Sequence, residues 1–483
     1  MLAINKKGVG RLPVEEEETL LKVLLVVPYS KCTTRDALDL ATPPLGVAYI
    51  ASYIRKFGNH EVRIHDDLLL RSSDAGLTRT VKEFSPDVVG ISGQATPSVY
   101  DVYHAARVMK KAAPNALFVV GGAHVTFEDR QVLSECPEIN VIVRGEGEVT
   151  MERLLEEYAG NNDFAAVPGI TYRLGNSIER NVDAPFIKDL DSLPYPAYDL
   201  LDLPSYFVAD HRVGTMITSR GCPYNCIFCS SSRIVGKTWR GRSPENVVGE
   251  VKLLEEKYKV QEIEFLDDLF TFDCDRVRRI CELLRENHSR VKWTCSTRAD
   301  ILARHPEMVG WLKSGGCNTT YIGAESGSQR ILNIIRKGIL LDQVRKSVKL
   351  VKDAGMHLVL SFVLGIPHET PQEVAATIKM ACKLDPDLAQ FTVCTPYPGT
   401  PLYEEADRNG WLKSNNWKDY SVLSPVMDLP DLPKKVLRKC LSRAYLRFYL
   451  RPSFLWKMFR EKNVFLLKKT VHSVITYLKL ENQ

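Results

Sequence analysis

Short apolar runs alternate with amphipathic segments of helical period over most of this chain, and this alternation limits the folds open to it. In the first half, strand-length apolar runs are predicted at residues 22–28, 62–65, 87–92, 117–121 and 140–143. Helical segments at 45–57, 99–111 and 149–158 separate them. Strands that alternate with helices form parallel sheets covered on both faces. Residues 21–190 are therefore predicted to form an α/β domain with a doubly wound, Rossmann-like sheet.

Loops rich in glycine and other small residues follow these predicted strands, at 43–46, 92–94, 121–124 and 145–148. Ligands of doubly wound sheets bind at the carboxyl ends of the strands, where such loops lie. Glycine there lets the backbone approach a large ligand closely. The candidate ligand-binding residues are Pro44, Leu45, Gly46, Ser92, Gln94, Gly121, Gly122, His124, Gly145 and Glu146.

A second series of strands and helices follows a proline-rich connector at 193–197, inside a predicted linker of residues 191–207. Its strands are predicted at 215–218, 262–266, 292–296, 319–322, 357–364 and 388–395, and its helices include 244–257, 276–286 and 371–384. Six such units predict a partial (β/α)6 barrel of the TIM type over residues 208–425. Chemistry is expected at the carboxyl-terminal mouth of this barrel.

Three cysteines, Cys222, Cys226 and Cys229, lie within eight positions of one another on the predicted loop after the first barrel strand. Three thiolates on one short loop suit a cubane iron–sulfur cluster in which one iron keeps an open position for a substrate. Structural zinc would need a fourth ligand and usually comes with a second Cys-x2-Cys pair, which the sequence lacks. Most of the other nine cysteines are interpreted as small buried side chains, as for Cys295 and Cys394 in apolar strands.

The cysteine spacing, with Phe228 just before the last cysteine, resembles that of the radical S-adenosylmethionine (SAM) family. The resemblance implies that Cys222, Cys226 and Cys229 bind a [4Fe-4S] cluster and that the open iron binds SAM. It further implies that groups at successive strand ends hold SAM. These are Phe228, Asp267, Asp268, Arg298, Glu325, Ser326, Gly365 and Pro367.

The N-terminal series resembles the cobalamin-binding domain that one large subfamily of radical SAM proteins carries. Residues 42–46, 89–93, 121–124 and 144–148 carry the likeness, which implies cobalamin at the ten loop residues named above. Proteins that bind cobalt from below through histidine have the order Asp-x-His-x-x-Gly, and the nearest stretch, 64–68, lacks it. We therefore expect no histidine ligand of the usual kind, with His124 as an alternative contact. A nucleotide or flavin could occupy the same fold, but Gly145 and Gly147 are only a fragment of the dinucleotide fingerprint.

The composition bounds the setting in which the protein works. The 483 residues are 45% hydrophobic and 25% charged, which is typical of a globular protein with several domains, and no apolar stretch is long enough to span a membrane. Residues 1–20 form a polar tail without the character of a secretory signal, and 12 irregularly spaced cysteines do not indicate a disulfide framework. A reducing, cytoplasmic compartment is expected.

The net charge of +5 is concentrated in the C-terminal region, residues 426–483, which is predicted to be helical. Between Lys434 and Lys479 there are 13 Lys and Arg residues and one acidic residue. Such a basic amphipathic segment either covers the barrel or lies on an anionic membrane surface. Nucleic acid is not expected as a partner, because no compact RNA-binding domain is appended.

These features lead to the hypothesis of a cobalamin-dependent radical SAM enzyme that methylates an unactivated carbon through a 5′-deoxyadenosyl radical. The expected substrate is a small, hydrophobic or lipid-like molecule, and an external one-electron donor such as flavodoxin or ferredoxin is expected to reduce the cluster. Two alternatives stay open: a cyclase or ring-rearranging enzyme with the same cofactors, and a cobalamin-binding sensor without catalytic activity.

Overall fold

A computed structural model describes residues 20–30, 42–93, 95–208 and 211–461. Most of the predicted polar N-terminal tail, Gln94 and residues 462–483 of the predicted basic region lie outside the described residues. None of the helices in the described part of the chain is both long enough and apolar enough to cross a membrane.

The N-terminal domain contains a seven-stranded sheet in the order β2-β1-β3-β4-β5-β6-β7. Its strands are β1 (Lys22–Val27), β2 (Glu61–Asp66), β3 (Val88–Ser92), β4 (Leu117–Gly121), β5 (Val141–Val143), β6 (Ile170–Leu174) and β7 (Ser177–Arg180). The five parallel strands are those that the sequence predicts, and the antiparallel hairpin of β6 and β7 at one edge is an addition. A two-residue turn, with Gly175 at φ 58°, closes this hairpin.

Helices cover both faces of this sheet, which explains why its central strands are continuously apolar. Alternate residues of β1 belong to two different hydrophobic cores: Leu24 and Val26 to one, Val23 and Leu25 to the other. The helices of this domain are Leu45–Phe57, Asp67–Leu70, Asp74–Phe84, Val99–Ala112, Ala123–Phe127, Asp129–Glu135 and Gly147–Ala159. One short 3-10 turn, Thr96–Ser98, lies among these helices. Four more come after the last of them, at Phe164–Ala166, Leu190–Ser192, Tyr198–Leu200 and Leu203–Ser205.

The second domain is an open parallel half-barrel with the strand order β16-β15-β14-β13-β12-β9-β8. Its strands are β8 (Phe207–Val208), β9 (His211–Met216), β12 (Glu262–Phe265), β13 (Lys292–Thr297), β14 (Cys317–Glu325), β15 (His357–Leu364) and β16 (Leu388–Val393). The six strands from β9 to β16 pair in parallel, as predicted, and β8 adds an antiparallel edge. Strand β9 ends at Met216, two residues before the predicted end, so that Thr218 lies in the following loop.

Between β9 and β12 a separate pair of short strands, β10 (Ser219–Arg220) and β11 (Arg240–Gly241), brackets the cysteines. The helices of the second domain are Ser231–Ile234, Pro244–Glu256, Cys274–Glu286, Ala299–Arg304, Met308–Ser314, Gln329–Ile334, Leu341–Asp353, Pro371–Leu384, Pro401–Arg408, Lys434–Tyr449 and Pro452–Glu461, with a 3-10 turn at Trp417–Asp419.

The two domains share their cores. The helix Leu45–Phe57 contributes Leu45, Ala48 and Tyr49 to the barrel core, while its opposite face packs on the N-terminal sheet. In return Trp417 and Tyr420, which follow the barrel strands in the chain, belong to a core of the N-terminal domain. This exchange of apolar side chains holds the carboxyl ends of both sheets next to each other.

The helix Lys434–Tyr449 covers the free edge of the half-barrel. The hydroxyl of Tyr445 donates a hydrogen bond to the carbonyl of Phe391 at 2.9 Å and accepts one from its N–H at 3.3 Å. Tyr449 makes the same pair of bonds with Ala389, at 2.9 and 3.3 Å. These two hydroxyls satisfy the outward-facing backbone groups of the edge strand β16, which would otherwise be left unpaired.

Candidate functional site

A cavity lies between the two domains, at the carboxyl ends of the N-terminal strands. Its empty space, including a mouth open to solvent, is about 1130 Å³. The N-terminal domain lines it with Leu25, Gly46, Val47, Tyr49, Ile50, Gly90, Ile91, Ser92, Val119, Gly121, Gly122, Val143, Gly145, Glu146, Gly147, Glu148 and Met151, and the barrel with Ile217, Ser219, Arg220, Val235, Leu266 and Asp268. The cavity is thus mainly apolar, with a few polar or charged groups from each domain: Ser92, Glu146 and Glu148 from the first, and Ser219, Arg220 and Asp268 from the second.

Six of the predicted cobalamin-binding residues line this cavity: Gly46, Ser92, Gly121, Gly122, Gly145 and Glu146. The neighbouring Pro44 is buried, and Leu45 is buried in the core of the barrel. A Cβ at Gly46 would meet no atom within 4 Å, so this position faces open space. Gly122, at φ 129°, lies so close to Gly93 that a Cβ would stand 2.1 Å from its carbonyl oxygen. The missing side chain at Gly46 leaves room for a broad ligand next to the backbone, which fits a corrinoid, whereas glycine at 122 is required by the close contact with Gly93.

His124 lies apart from the residues that line the cavity. Its imidazole is buried and packs edge-on against Trp417, with 4.9 Å between the ring centroids. Neither ring nitrogen has a hydrogen-bond partner among the described residues, and burial lowers the pKa of this histidine to about 4. A neutral ring in an apolar contact is consistent with a packing role, and a cobalamin contact by His124 stays a prediction.

The three predicted cluster cysteines lie on one loop with free, partly exposed thiols. The loop is held by backbone hydrogen bonds: the N–H of Cys222 donates to Gly236, and that of Ile227 donates to Ile335, at 3.1 and 3.2 Å. Burial raises the pKa of the Cys222 and Cys226 thiols, and the nearby Cys229 adds to the rise at both. No three His, Cys, Asp or Glu side chains of the described residues are arranged so that they could hold a single metal ion.

Two cations lie beside this loop. The guanidinium of Arg298 stacks over the ring of Tyr224 at 3.4 Å and donates to the carbonyl of Lys337 at 2.7 Å. The positive charge of Arg298 lowers the pKa of Cys222 and of Cys226 and so counteracts the effect of burial. The positive charge of Lys337 also lowers the pKa of Cys226. Three thiols with adjacent positive charge are a donor set that fits an anionic iron–sulfur cluster, whose iron would displace the thiol protons.

The two adjacent aspartates after β12 have different surroundings. The buried carboxylate of Asp267 accepts bonds of 2.6 Å from the N–H and the hydroxyl of Thr218 and from the hydroxyl of Ser219. It therefore ties the end of β12 to the loop after β9. Asp268 is exposed to the cavity, where its carboxylate accepts one bond of 2.8 Å from Ser231. Of this pair, only Asp268 has a carboxylate open to a ligand in the cavity.

At the end of β14, Glu325 takes a left-handed backbone conformation, with φ 60°, next to an irregularity in the strand pairing. The Nζ of Lys337 donates to its carboxylate at 2.6 Å, and both side chains are nearly buried. Ser326 is buried behind it and lies 3.3 Å from the hydroxyl of Thr377. Sequence reasoning missed Lys337. The only available signal was its place in a basic turn after a short helix.

The predicted turn after β15 is buried under the C-terminal helix. Glu369 accepts a bond of 2.7 Å from the N–H of Gly365 and one of 3.3 Å from that of Ile366, which fixes the turn, and Pro367 is buried within it. A Cβ at Gly365, at φ 82°, would stand 2.3 Å from Leu437 of the helix Lys434–Tyr449. Phe228 of the cysteine loop packs half-buried against the same barrel core.

Comparisons with known proteins agree with this geometry. Residues 216–381 match the model of the radical SAM superfamily, and residues 34–155 match that of the B12 binding domain. An uncharacterized methyltransferase of Pyrococcus horikoshii is 40% identical over 456 residues, which cover 94% of this chain and 98% of that protein. The anaerobic magnesium-protoporphyrin IX monomethyl ester cyclase of Cereibacter sphaeroides is 30% identical, over 85% of this chain and 67% of the cyclase.

Among solved structures, one similar fold is that of the cobalamin-dependent SAM radical enzyme OxsB, with aqua-cobalamin and SAM bound. The TM-score is 0.76 at 16% identity, and the matched part covers 96% of this chain and 76% of the OxsB chain. The chain belongs to the radical SAM superfamily and carries a B12-binding domain ahead of its radical SAM domain. This confirms the predicted α/β fold, the class of enzyme and the three cofactors, which are the [4Fe-4S] cluster, SAM and cobalamin.

Proposed function

We propose that the protein is a cobalamin-dependent radical SAM methyltransferase that transfers a methyl group to a carbon atom of a small, mainly apolar molecule. The observation that carries this proposal is the cavity that both domains line, because it places the glycine loops of the B12-binding domain opposite Asp268 and Leu266 of the barrel. When bound to the chain, the cluster with SAM would supply a radical able to abstract hydrogen, and the corrinoid would supply the methyl group.

The residues of the chain bind and orient these groups. Cys222, Cys226 and Cys229 would hold the cluster through their thiolates. Asp268, open to the cavity, accepts hydrogen bonds from the ammonium group of SAM, for which a carboxylate is electrostatically suited. Glu325, held in place by Lys337, accepts hydrogen bonds from the ribose hydroxyls.

The apolar walls determine which substrates can enter. Val47 and Ile50 of one domain face Ile217, Val235 and Leu266 of the other across the cavity. A site with such walls excludes water from a reactive carbon centre and favours an apolar acceptor. The substrate is therefore proposed to be a small molecule with a substantial hydrocarbon part.

Product analysis tests methylation directly. The reconstituted protein, reduced anaerobically and incubated with methyl-deuterated SAM and small-molecule extracts, should form S-adenosylhomocysteine together with 5′-deoxyadenosine and should place the label in a product. 5′-Deoxyadenosine without S-adenosylhomocysteine or labelled product would instead indicate ring chemistry, which the resemblance to the ester cyclase makes the second candidate. The absence of both nucleoside products would indicate a corrinoid sensor.

An external one-electron donor of the flavodoxin or ferredoxin type, in a reducing cytoplasmic compartment, completes the proposal. The exposed Arg336 lies beside the cysteine loop, since its carbonyl oxygen is 3.9 Å from the Sγ of Cys226. Positive charge at this place favours an acidic donor and speeds its encounter. Cluster reduction by flavodoxin should slow in the variant Arg336→Glu and should lose much of its salt dependence, while reduction by dithionite stays unchanged.

The C-terminal region is proposed to touch anionic membranes at their surface. Leu450, Leu455 and Trp456 are 53%, 43% and 63% exposed, and basic residues of the preceding helix lie nearby in the chain. Each such basic residue near an anionic surface contributes about 1 kcal/mol, which salt screens. The protein should co-sediment with phosphatidylglycerol vesicles at low salt but not with phosphatidylcholine vesicles, and the variant Trp456→Ser should bind less. Equal sedimentation with both kinds of vesicle, or none, would contradict the membrane contact.

A further inference from the structure

Two arginines, Arg220 and Arg240, flank the segment 221–239 that carries the three cysteines. Arg220 of β10 and Arg240 of β11 are direct partners in the antiparallel pair, so the residues between them form one long loop that begins and ends at this pair. The two ends of the loop are in close contact, because the N–H of Cys222 donates to Gly236 and a Cβ at Gly221 would stand 2.2 Å from the carbonyl of Thr238. The position of these two strands therefore determines where the three thiols lie.

Both arginines reach across to the other domain. Arg220 donates to Glu148 at 2.6 Å and to Glu146 at 3.2 Å. Arg240 donates through both terminal nitrogens to the two carboxylate oxygens of Glu146, at 3.0 Å each. The four side chains are at most 10% exposed. Glu146 is fixed further, since it accepts a bond of 2.7 Å from the N–H of Ile187.

The two glutamates lie at the start of the helix Gly147–Ala159, in the stretch 145–148, which lines the B12 cavity together with Arg220. One set of buried ion pairs therefore joins the root of the cysteine segment to the wall of the corrinoid site. A buried ion pair is a weak source of stability, because desolvation offsets most of its attraction. Its bidentate geometry, however, restricts how the two partners can be placed.

We propose that Arg220 and Arg240 are positioning residues that couple the B12 site to the cluster site, so that filling one strengthens binding at the other. A corrinoid that settles against residues 145–148 restricts the two glutamates, and the arginines pass this restriction to the cysteine segment. The coupling is reciprocal, because a linkage between two binding equilibria acts equally in both directions. This inference deepens the proposed function, and it is tested by binding alone, so that a failure to methylate would leave it standing.

The test compares the affinity for hydroxocobalamin with and without the cluster, in the full chain under anaerobic conditions. The cluster-free form is the triple variant Cys222→Ala, Cys226→Ala, Cys229→Ala. We expect the cluster-loaded protein to bind hydroxocobalamin at least about 5-fold more tightly, the lower end of common coupling strengths. The same two affinities are measured for Arg220→Met and for Glu148→Gln, once with the three cysteines intact and once with all three replaced by Ala. In both variants the ratio of the affinity with the cluster to the affinity without it should fall to within about 2-fold of unity. The variant Arg220→Lys keeps the positive charge but lacks the planar guanidinium that makes paired hydrogen bonds, so it should keep only part of the wild-type ratio.

Arg451→Met is the matched control, because Arg451 is also 10% exposed and pairs with Asp385 at 2.6 Å, far from either cofactor loop in the chain. This variant should keep the wild-type ratio. A wild-type ratio of unity would overturn the proposal, whatever the variants do. It would also be overturned if Glu148→Gln, which removes charge without changing size, weakened hydroxocobalamin binding equally in both forms and left the ratio unaltered, because that is the result of a purely structural contact.

Discussion

The hydroxyls of Tyr445 and Tyr449 are expected to determine how tightly the half-barrel is closed at β16. The change Tyr445→Phe removes one oxygen and leaves the N–H and the carbonyl of Phe391 without their partner, in a contact that is otherwise buried. One unsatisfied buried backbone group costs about 1–3 kcal/mol, which is the minimum here because two groups lose their partner. Opening of this edge should become easier by the same amount.

Hydrogen exchange of the β16 amides measures this opening locally, which matters because a protein with two domains and three cofactors does not unfold in one step. A cost of about 1–3 kcal/mol corresponds to exchange that is roughly 5- to 150-fold faster at the amides of Ala389 and Phe391. Tyr449→Phe should act similarly. Because the rings of Tyr445 and Tyr449 stack at 6.0 Å, the double variant should depart from the sum of the two single effects.

The matched control is Tyr403→Phe, whose hydroxyl has no hydrogen bond among the described residues. It should leave exchange in β16 unchanged. The reasoning would be refuted if β16 exchanged at the wild-type rate in Tyr445→Phe, or if the faster exchange were spread evenly over β12 to β15, because either result would mean that the edge is closed by apolar packing alone.

Three further predictions concern the cofactor sites and the domain contact. Replacing Cys222, Cys226 and Cys229 by Ala should abolish the broad absorbance near roughly 400 nm and all SAM cleavage, and retention of about four irons after reconstitution would contradict the cluster assignment. Gly122→Ala should abolish hydroxocobalamin binding, because its Cβ would stand 2.1 Å from a carbonyl oxygen, whereas Gly310→Ala, in a helix with open space around it, should bind normally by absorbance titration. Because burial lowers the pKa of His124 to about 4, stability from this group is fully present above the unfolded value of about 6.5 and is lost as the pH falls towards 4. His124→Phe should therefore show a weaker loss of melting temperature than wild type over this range, and identical pH profiles would show that the ring is protonated without cost.

Some elements followed from local pattern, because the residues that form them are neighbours in the chain. The helices at 45–57 and 371–384 and the strands at 117–121 and 357–364 have the predicted bounds, since their apolar period is complete within each segment. The three cysteines could be predicted as cluster ligands for the same reason, because thiols within eight positions lie on one loop. The hairpin of β6 and β7 was missed, although Gly175 and Asn176 form a two-residue turn of the kind that joins such strands.

Which side chains of the site are open to a ligand, and which are held by other residues, depends on contacts between residues that are distant in the chain. Asp267 and Asp268 look equivalent in the sequence, and only the hydrogen bonds from Thr218 and Ser219 separate a structural carboxylate from one open to the cavity. The contact of His124 with Trp417 joins residues almost three hundred positions apart, which no local pattern indicates, and a cobalamin contact by His124 stays a prediction.

The sequence by itself determined the two series of strands and helices, the loops at their carboxyl ends and the donor set for the cluster, because each depends on the chemistry and spacing of adjacent residues. Only the tertiary structure decided how the two series face each other. The pairing of Arg220 with Glu148 and the capping of Phe391 by Tyr445 join residues more than fifty positions apart. Such contacts depend on how whole domains pack, and a local pattern of polar and apolar residues does not encode which distant partner a side chain will meet.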